Sequence, residues 1–215
     1  MWPRTRTYCD RYRVQDLIPS QKTKIVFIAE SPHKDEVAPE NSQERSPFRG
    51  TAGREWWSAL AKFTQTKPAN RDVPPRDQLL KICSELEISV MNAVQFPLDP
   101  KITLHEGKAC SPVEYLGFQK SSGPEGYKAV LKKGGRHNPV VSAIGDLKAR
   151  LIEVNKSNQV SIVVCLGNDS RWFVERALEG ISDGLEIQTI AHPSSWWRKA
   201  EYRTRALKLL EEFLG

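Results

Sequence analysis

The stretch Lys24-Ile25-Val26-Phe27-Ile28-Ala29-Glu30-Ser31-Pro32-His33-Lys34-Asp35-Glu36 decides the fold. Its first half is an unbroken apolar run with no polar alternation, so neither face of the strand it forms reads as solvated. A strand buried on both faces belongs to a parallel sheet covered by helices. The run then turns abruptly polar, and ligands of such sheets bind just beyond the carboxyl ends of the strands.

Three more runs repeat the pattern, Ile88 to Ala93, Val160 to Leu166 and Leu185 to Ala191. Each is predicted to be a strand buried on both faces. Helical periodicity fills the intervals, over Gly53 to Thr66, Arg76 to Leu86, Ser142 to Val154 and Ser170 to Leu178. A last helix from about Trp197 to Leu214 brings Ala206, Leu207, Leu210, Phe213 and Leu214 to helical spacing. This alternation predicts an α/β fold, a three-layer αβα sandwich around a central four-stranded parallel sheet.

A chain of 215 residues, 39% hydrophobic and 27% charged, is long enough to bury most of one core and has ordinary globular composition. A single domain, residues 1–215, is expected. The aliphatic runs reach only strand length, so no transmembrane segment is predicted. Met1 to Val14 carries Arg4, Arg6, Arg11 and Arg13 without the apolar core of a secretory signal. The expectation is a soluble, cytoplasmic monomer with no membrane partner.

Cys9, Cys83, Cys110 and Cys165 are scattered singly with no CxxC pair. That spacing argues against a zinc or iron-sulfur framework and against a disulfide scaffold. A net charge of +6 makes a polyanionic partner plausible without requiring one. The charge is uneven: from Arg198 to Lys208 there are five basic residues, with Lys199, Arg203 and Arg205 among them, against the single acid Glu201. The segment from Leu98 to Val140 holds six Gly, four Pro and seven Lys or Arg against four acids, with no sustained periodicity. It reads as a basic Gly/Pro-rich insertion that either faces DNA or is merely solvated.

The residues that follow each strand are polar. Glu30, Ser31 and His33 follow the first; Asn92 ends the second; Gly167, Asn168 and Asp169 follow the third; His192, Ser194, Ser195 and Arg198 follow the fourth. Singly, Glu30 reads as a helix cap, Asn92 as a turn residue and His192 as a loop residue. Their placement at the ends of separate strands brings a carboxylate, an amide and an imidazole to one rim, which is the pattern of an active site.

The order and spacing of these segments resemble the uracil-DNA glycosylase superfamily over most of the chain. AESPHKDE (29–36) is similar to the GEAPGxxED motif of the iron-sulfur bacterial and archaeal branch, and SPFRGTAGREWWSAL (46–60) to its PFVGxAGxLLxxxL segment. MNAVQFP (91–97) resembles its TNVVKCRP strand, VVCLGN (163–168) its third strand, and HPSSWWR (192–198) the HPSxxxR motif shared across the superfamily.

The resemblance implies a glycosylase-like fold and a monofunctional DNA glycosylase that hydrolyses the bond between a flipped-out base and its sugar. By the same resemblance Phe48 stacks on the base and Asn92 hydrogen-bonds its Watson-Crick edge. Ser31 and His33 shape the base pocket, His192 donates toward the base carbonyl, and Glu30 positions water or stabilises the cationic sugar. Ser194, Ser195, Trp196, Trp197, Arg198 and Lys199 meet DNA, the tryptophans standing where the superfamily places its wedge, whereas Trp56 and Trp57 read as core.

Three departures narrow the reading. No CxxC precedes the first strand and Phe96 stands where the resembled strand ends in Cys, so no cluster, metal or other cofactor is expected. Ser31 occupies the place where other branches carry a catalytic Asp or Asn. Ala29 and His33 alter the first motif, leaving uracil and a larger modified pyrimidine, as in hypermodified phage DNA, both open as substrate. A non-catalytic DNA-binding relative remains the alternative. So does a covalent trap through the loop Lys132-Lys133-Gly134-Gly135-Arg136-His137. A serine hydrolase built on Ser31 and His192 lacks the GxSxG elbow.

Overall fold

In the computed structural model the described residues are 12–20, 22–66, 73–98, 123–134, 138–158, 160–180 and 184–215. Cys9, Cys110, the arginines at positions 4, 6 and 11, most of the 98–140 insertion and the loop residues Gly135, Arg136 and His137 lie outside them. The four expected strands are β1 (Ile25–Ala29), β2 (Ile88–Asn92), β3 (Ile162–Leu166) and β4 (Glu186–Ile190). They form one sheet in the order β2-β1-β3-β4, and every pairing is parallel.

Helices cover both faces. After β1 come the short α1 (Lys34–Val37), then α2 (Gly50–Leu60) and α3 (Arg76–Glu85). Between β2 and β3 lie α4 (Pro124–Lys132) and α5 (Pro139–Asn158); α6 (Asn168–Ala177) joins β3 to β4, and α7 (Ala200–Leu214) follows β4. Alternation within each strand sorts the core into two halves. Val26, Ile28, Val163 and Cys165 pack with Tyr127, Leu147, Leu151, Trp172 and Phe173 of α4, α5 and α6. Ile25, Phe27, Val90 and Val164 pack on the other face with Trp56, Trp57, Leu79, Ile82, Ala206 and Leu210 of α2, α3 and α7.

The connection from β1 therefore leaves over one face and the connection from β3 over the other. Adjacent strands with connections on opposite faces leave a crevice between their carboxyl ends, the topological switch point of an open parallel sheet. That crevice lies between Ala29 and Leu166. The chain reaches β2 from β1 in one direction over the α2 face, and β3 and β4 in the opposite direction over the α5 face. All three crossovers thus have the same hand, as parallel connections require.

Three expectations change. β4 is an edge strand, and its burial rises from an exposed Glu186 to a buried Ile190, so it is not buried on both faces. The opposite edge, β2, is covered where Leu17 and Val90 exchange backbone hydrogen bonds of 2.8 and 2.9 Å. The insertion is not wholly irregular, because α4 occupies nine of its residues and Asn138 ties α4 to α5, donating to Val130 O (2.8 Å) and accepting from Val140 N (3.0 Å). The last helix starts at Ala200 instead of Trp197, since Pro193–Ser195 first make a turn of 3-10 helix.

Cys83 and Cys165 are buried free thiols, and burial pushes both up, Cys165 to about 12. They pack as small apolar groups. Among the described residues no helix is long and apolar enough to cross a membrane.

Candidate active site

A pocket of about 520 Å³ opens at the switch point. Its walls include Ala29, Glu30 and Ser31 after β1, His33 and Glu36 of the next turn, Phe48 and Arg49 before α2, Leu166, Gly167 and Asp169 at the end of β3, and His192 and Ser194 after β4. Of the residues named from sequence, Glu30, Ser31, His33, Phe48, His192 and Ser194 meet here.

Phe48 is held with unusual force. Its φ of 60° is left-handed, a conformation that costs a non-glycine residue about 1 to 3 kcal/mol and persists only where the surroundings impose it. The indole of Trp57 donates to Phe48 O over 3.0 Å, and Gly53 lets that carbonyl lie where a Cβ would be only 1.6 Å away. The ring is 2% exposed, packed 5.4 Å from Trp56 on one side and 5.9 Å from His192, both at 28° between planes. A phenyl and an imidazole thus stack on one another in the pocket wall.

His192 is tuned as a neutral donor. The Ser194 backbone N–H donates to His192 Nδ1 (3.2 Å), and Ser194 Oγ lies 2.8 Å from the same nitrogen. A nitrogen that accepts a backbone N–H carries no proton, so the neutral ring holds its proton on Nε2. Burial, with the neighbouring His33 adding to it, lowers the imidazolium to about 4. At pH 7 the ring is therefore neutral, with its proton on Nε2.

The carboxyl side was only partly legible in the sequence. Glu36, within the charged run Lys34-Asp35-Glu36, is buried and lines the pocket. Burial lifts its carboxyl to about 8 against the hydrogen bonds of Asn92, His33 and Phe48, so it is largely protonated at neutral pH and offers a donor as well as an acceptor. Asn92 does not line the pocket. It is fully buried, donates its amide N–H to Glu36 (2.9 Å), and keeps its Oδ1 without a hydrogen-bond partner among the described residues. Asn92 therefore meets the pocket through Glu36, whose carboxyl lines it, and does not itself form the wall.

Burial raises the Glu30 carboxyl, and the nearby charge of Asp169 adds to the rise. The Tyr127 hydroxyl donates to Glu30 from α4. Asp169, in the first turn of α6, is also pushed up by burial, and its Oδ1 is buried without a hydrogen-bond partner. His33 is exposed and lies 3.3 Å from Asp35 Oδ2. That carboxylate occupies the space where a Cβ on Gly50 would fall, at the start of α2, and a carboxylate is favoured at a helix N-terminus.

The two tryptophans of the rim part company. Trp196 is 2% exposed, packs on Trp56 and donates to Ala191 O (2.9 Å), so it is core and its expected DNA contact is corrected. Trp197 is 70% exposed with the Arg198 guanidinium 4.8 Å from its ring centre. Ser195 donates its hydroxyl to His192 O (2.7 Å) and serves the turn. Arg198 and Lys199 are exposed. Arg49, Glu36, Asp169 and Tyr127 are site residues to which the sequence pointed no role.

No protein-family model matches this chain. No curated protein matches it. What fold and site define is a class: a four-stranded parallel α/β protein with a switch-point pocket that combines a stacked phenylalanine and histidine with carboxyl groups, and with Arg49 in its wall.

Proposed function

We propose that the chain is a member of the uracil-DNA glycosylase superfamily that hydrolyses the N-glycosidic bond of a flipped-out uracil or modified pyrimidine in DNA, leaving an abasic site. The observation that carries this reading is the pairing of a strained, near-parallel Phe48 with a neutral, Nε2-protonated His192 in one switch-point pocket.

In such a reaction the bond between C1′ and the base nitrogen breaks with its electron pair leaving on the base, while water adds to the oxocarbenium-like sugar carbon. Negative charge grows on the base carbonyl, where the His192 Nε2–H donates; one such donor is worth roughly 3 to 4 kcal/mol. Phe48 stacks on the base, worth about 1 to 3 kcal/mol. Glu36 supplies a donor and an acceptor to the base edge, with Asn92 fixing its carboxyl. Glu30 faces the sugar as a carboxylate, stabilising its positive charge and taking a proton from the attacking water. Extruding the nucleotide costs a few kcal/mol, offset by Trp197 entering the vacated stack and by Arg49, Arg198 and Lys199 on phosphates. No metal or redox group has a part in this sequence of steps.

A second reading, a DNA-binding module without turnover, is favoured by the burial that raises Glu30 and so reduces the anionic form the chemistry needs. Incubation with DNA containing uracil or modified pyrimidines, followed by alkaline cleavage at abasic sites, separates the two. Strand breaks at the modified positions support the glycosylase, and binding without breaks supports the module.

A further inference from the structure

The insertion that interrupts the sequence between β2 and β3 reaches back into the site. Gly123 starts α4 at φ 66°, and a side chain there would come within 2.9 Å of Asp169 Oδ1. This close approach places Tyr127, one turn on, under the end of β1. Its ring is buried against two others, with centres 5.3 Å from Trp172 and 5.0 Å from Phe173, which themselves meet edge to face at 5.1 Å. The hydroxyl donates to Glu30 Oε1.

We infer that Tyr127 is a positioning residue for the reaction, locking the Glu30 carboxylate in one orientation so that its second oxygen serves the sugar and the attacking water. The inference rests on the glycosylase reading above and extends it to a segment that reading does not use. Three features make the contact a built one. An aromatic ring wedged between two others has no second rotamer to adopt without repacking the core. The hydroxyl stays a donor at any working pH, because burial and the Glu30 carboxylate both push its ionisation far above the ordinary range. A charge-assisted hydrogen bond to a half-buried carboxylate also favours the anion, opposing the burial and the Asp169 charge that act against it.

The groups facing Glu30 come from several elements: Tyr127 of α4, Asp169 of α6, and His33, Glu36 and His192, which line the same pocket. Among the described residues it is Tyr127 whose hydrogen bond stabilises the carboxylate, so its removal has a defined sign. Without the hydroxyl the Glu30 carboxyl titrates at higher pH, and any activity that needs the anion appears at higher pH with it.

Tyr127→Phe keeps the ring and removes the hydroxyl. In the full chain carrying carbon-13 label in its Glu side chains, with Glu30 assigned through Glu30→Gln, the Glu30 titration midpoint is expected to move upward in Tyr127→Phe. With single-turnover base release, the rate at neutral pH falls about tenfold or more, the acid limb of the pH profile moves upward, and the DNA dissociation constant is unchanged. An unmoved Glu30 midpoint in a variant that melts like the parent overturns the inference. The NMR readout needs no turnover, so if the parent releases no base from any DNA, the glycosylase reading fails while the Glu30 midpoint still decides the role of Tyr127. Should Tyr127→Phe melt early, Trp172→Leu, which loosens the same cluster but keeps the hydroxyl, serves as the control: an equal shift of Glu30 there would also overturn the inference.

Discussion

Asn92, the last residue of β2, donates its amide to the carboxyl of Glu36 across 2.9 Å, with Asn92 fully buried and Glu36 at the pocket wall. The amide N–H that sequence pattern assigns to a ligand goes to a carboxyl, and that carboxyl lines the pocket. Asn92→Ala leaves Glu36 without its side-chain donor and is expected to cost about 1 to 3 kcal/mol, a fall of about 2 to 4 °C in Tm per kcal/mol at this chain length. Asn92→Asp sets a second carboxyl against the first and slows excision through Glu36. A switch in preferred base with Glu36 undisturbed would show that Asn92 itself reads the ligand.

Glu36 makes stability depend on pH in a definite direction. Its folded value of about 8 lies above its ordinary 4.5, so between those limits the folded state holds a proton that the unfolded chain has released. Stability therefore falls as pH rises through that window, by about 1.4 kcal/mol per unit at most from this group. Glu36→Gln removes the dependence. Urea melts at pH 5 and pH 8 are expected to show the variant gaining on the parent as pH rises, and parallel losses in the two proteins would contradict the assignment.

His192 has the opposite displacement. Held near 4, it stays neutral while an unfolded histidine takes up a proton below about 6.5, so its contribution to stability is complete above that value and is lost as pH falls toward 4. The ring proton signals of His192 are expected to stay flat from pH 8 to pH 5 and to move only below that. A midpoint near 6.5 would remove the neutral-donor argument.

The adjacent tryptophans differ in kind. Trp196→Ala opens a cavity beside Trp56 and is expected to cost about 3 to 5 kcal/mol. Trp197→Ala changes stability by less than about 0.5 kcal/mol and instead weakens DNA binding or base extrusion. Urea melts and fluorescence of a reporter base test both. Equal destabilisation by the two would contradict the separation.

DNA affinity is expected to fall steeply with salt, and replacing both Arg198 and Lys199 with Gln lowers the slope of log affinity against log salt by about 2. A slope near zero in the parent would end the electrostatic part of the account.

The strands were legible because a parallel sheet buried on both faces writes itself as unbroken β-branched runs, and β1 through β3 have that form. β4 is misread because Ile187, Thr189 and Ile190 resemble such a run, while Glu186 and Gln188 mark an edge. The site was legible where residue type and strand end coincide, as at Glu30 and His192. It was hidden where chemistry comes from packing: Glu36 sits in a charged run that reads as a solvated face, and only burial turns it into an acid. Tyr127 lies in an aperiodic Gly/Pro-rich segment whose approach to Glu30 depends on α4 meeting α6, a contact with no local signature.

The central claim is that this pocket cuts a base from DNA with His192 as the donor. Mass spectrometry of the free bases released under single-turnover conditions from uracil-containing and modified-pyrimidine DNA, by the parent and by His192→Ala, tests it most directly. The account predicts one free pyrimidine base with an equimolar abasic site, and a rate reduced roughly a hundredfold or more in His192→Ala with DNA binding intact. Release of no base from any of these DNAs, or equal release by a folded His192→Ala, would contradict it.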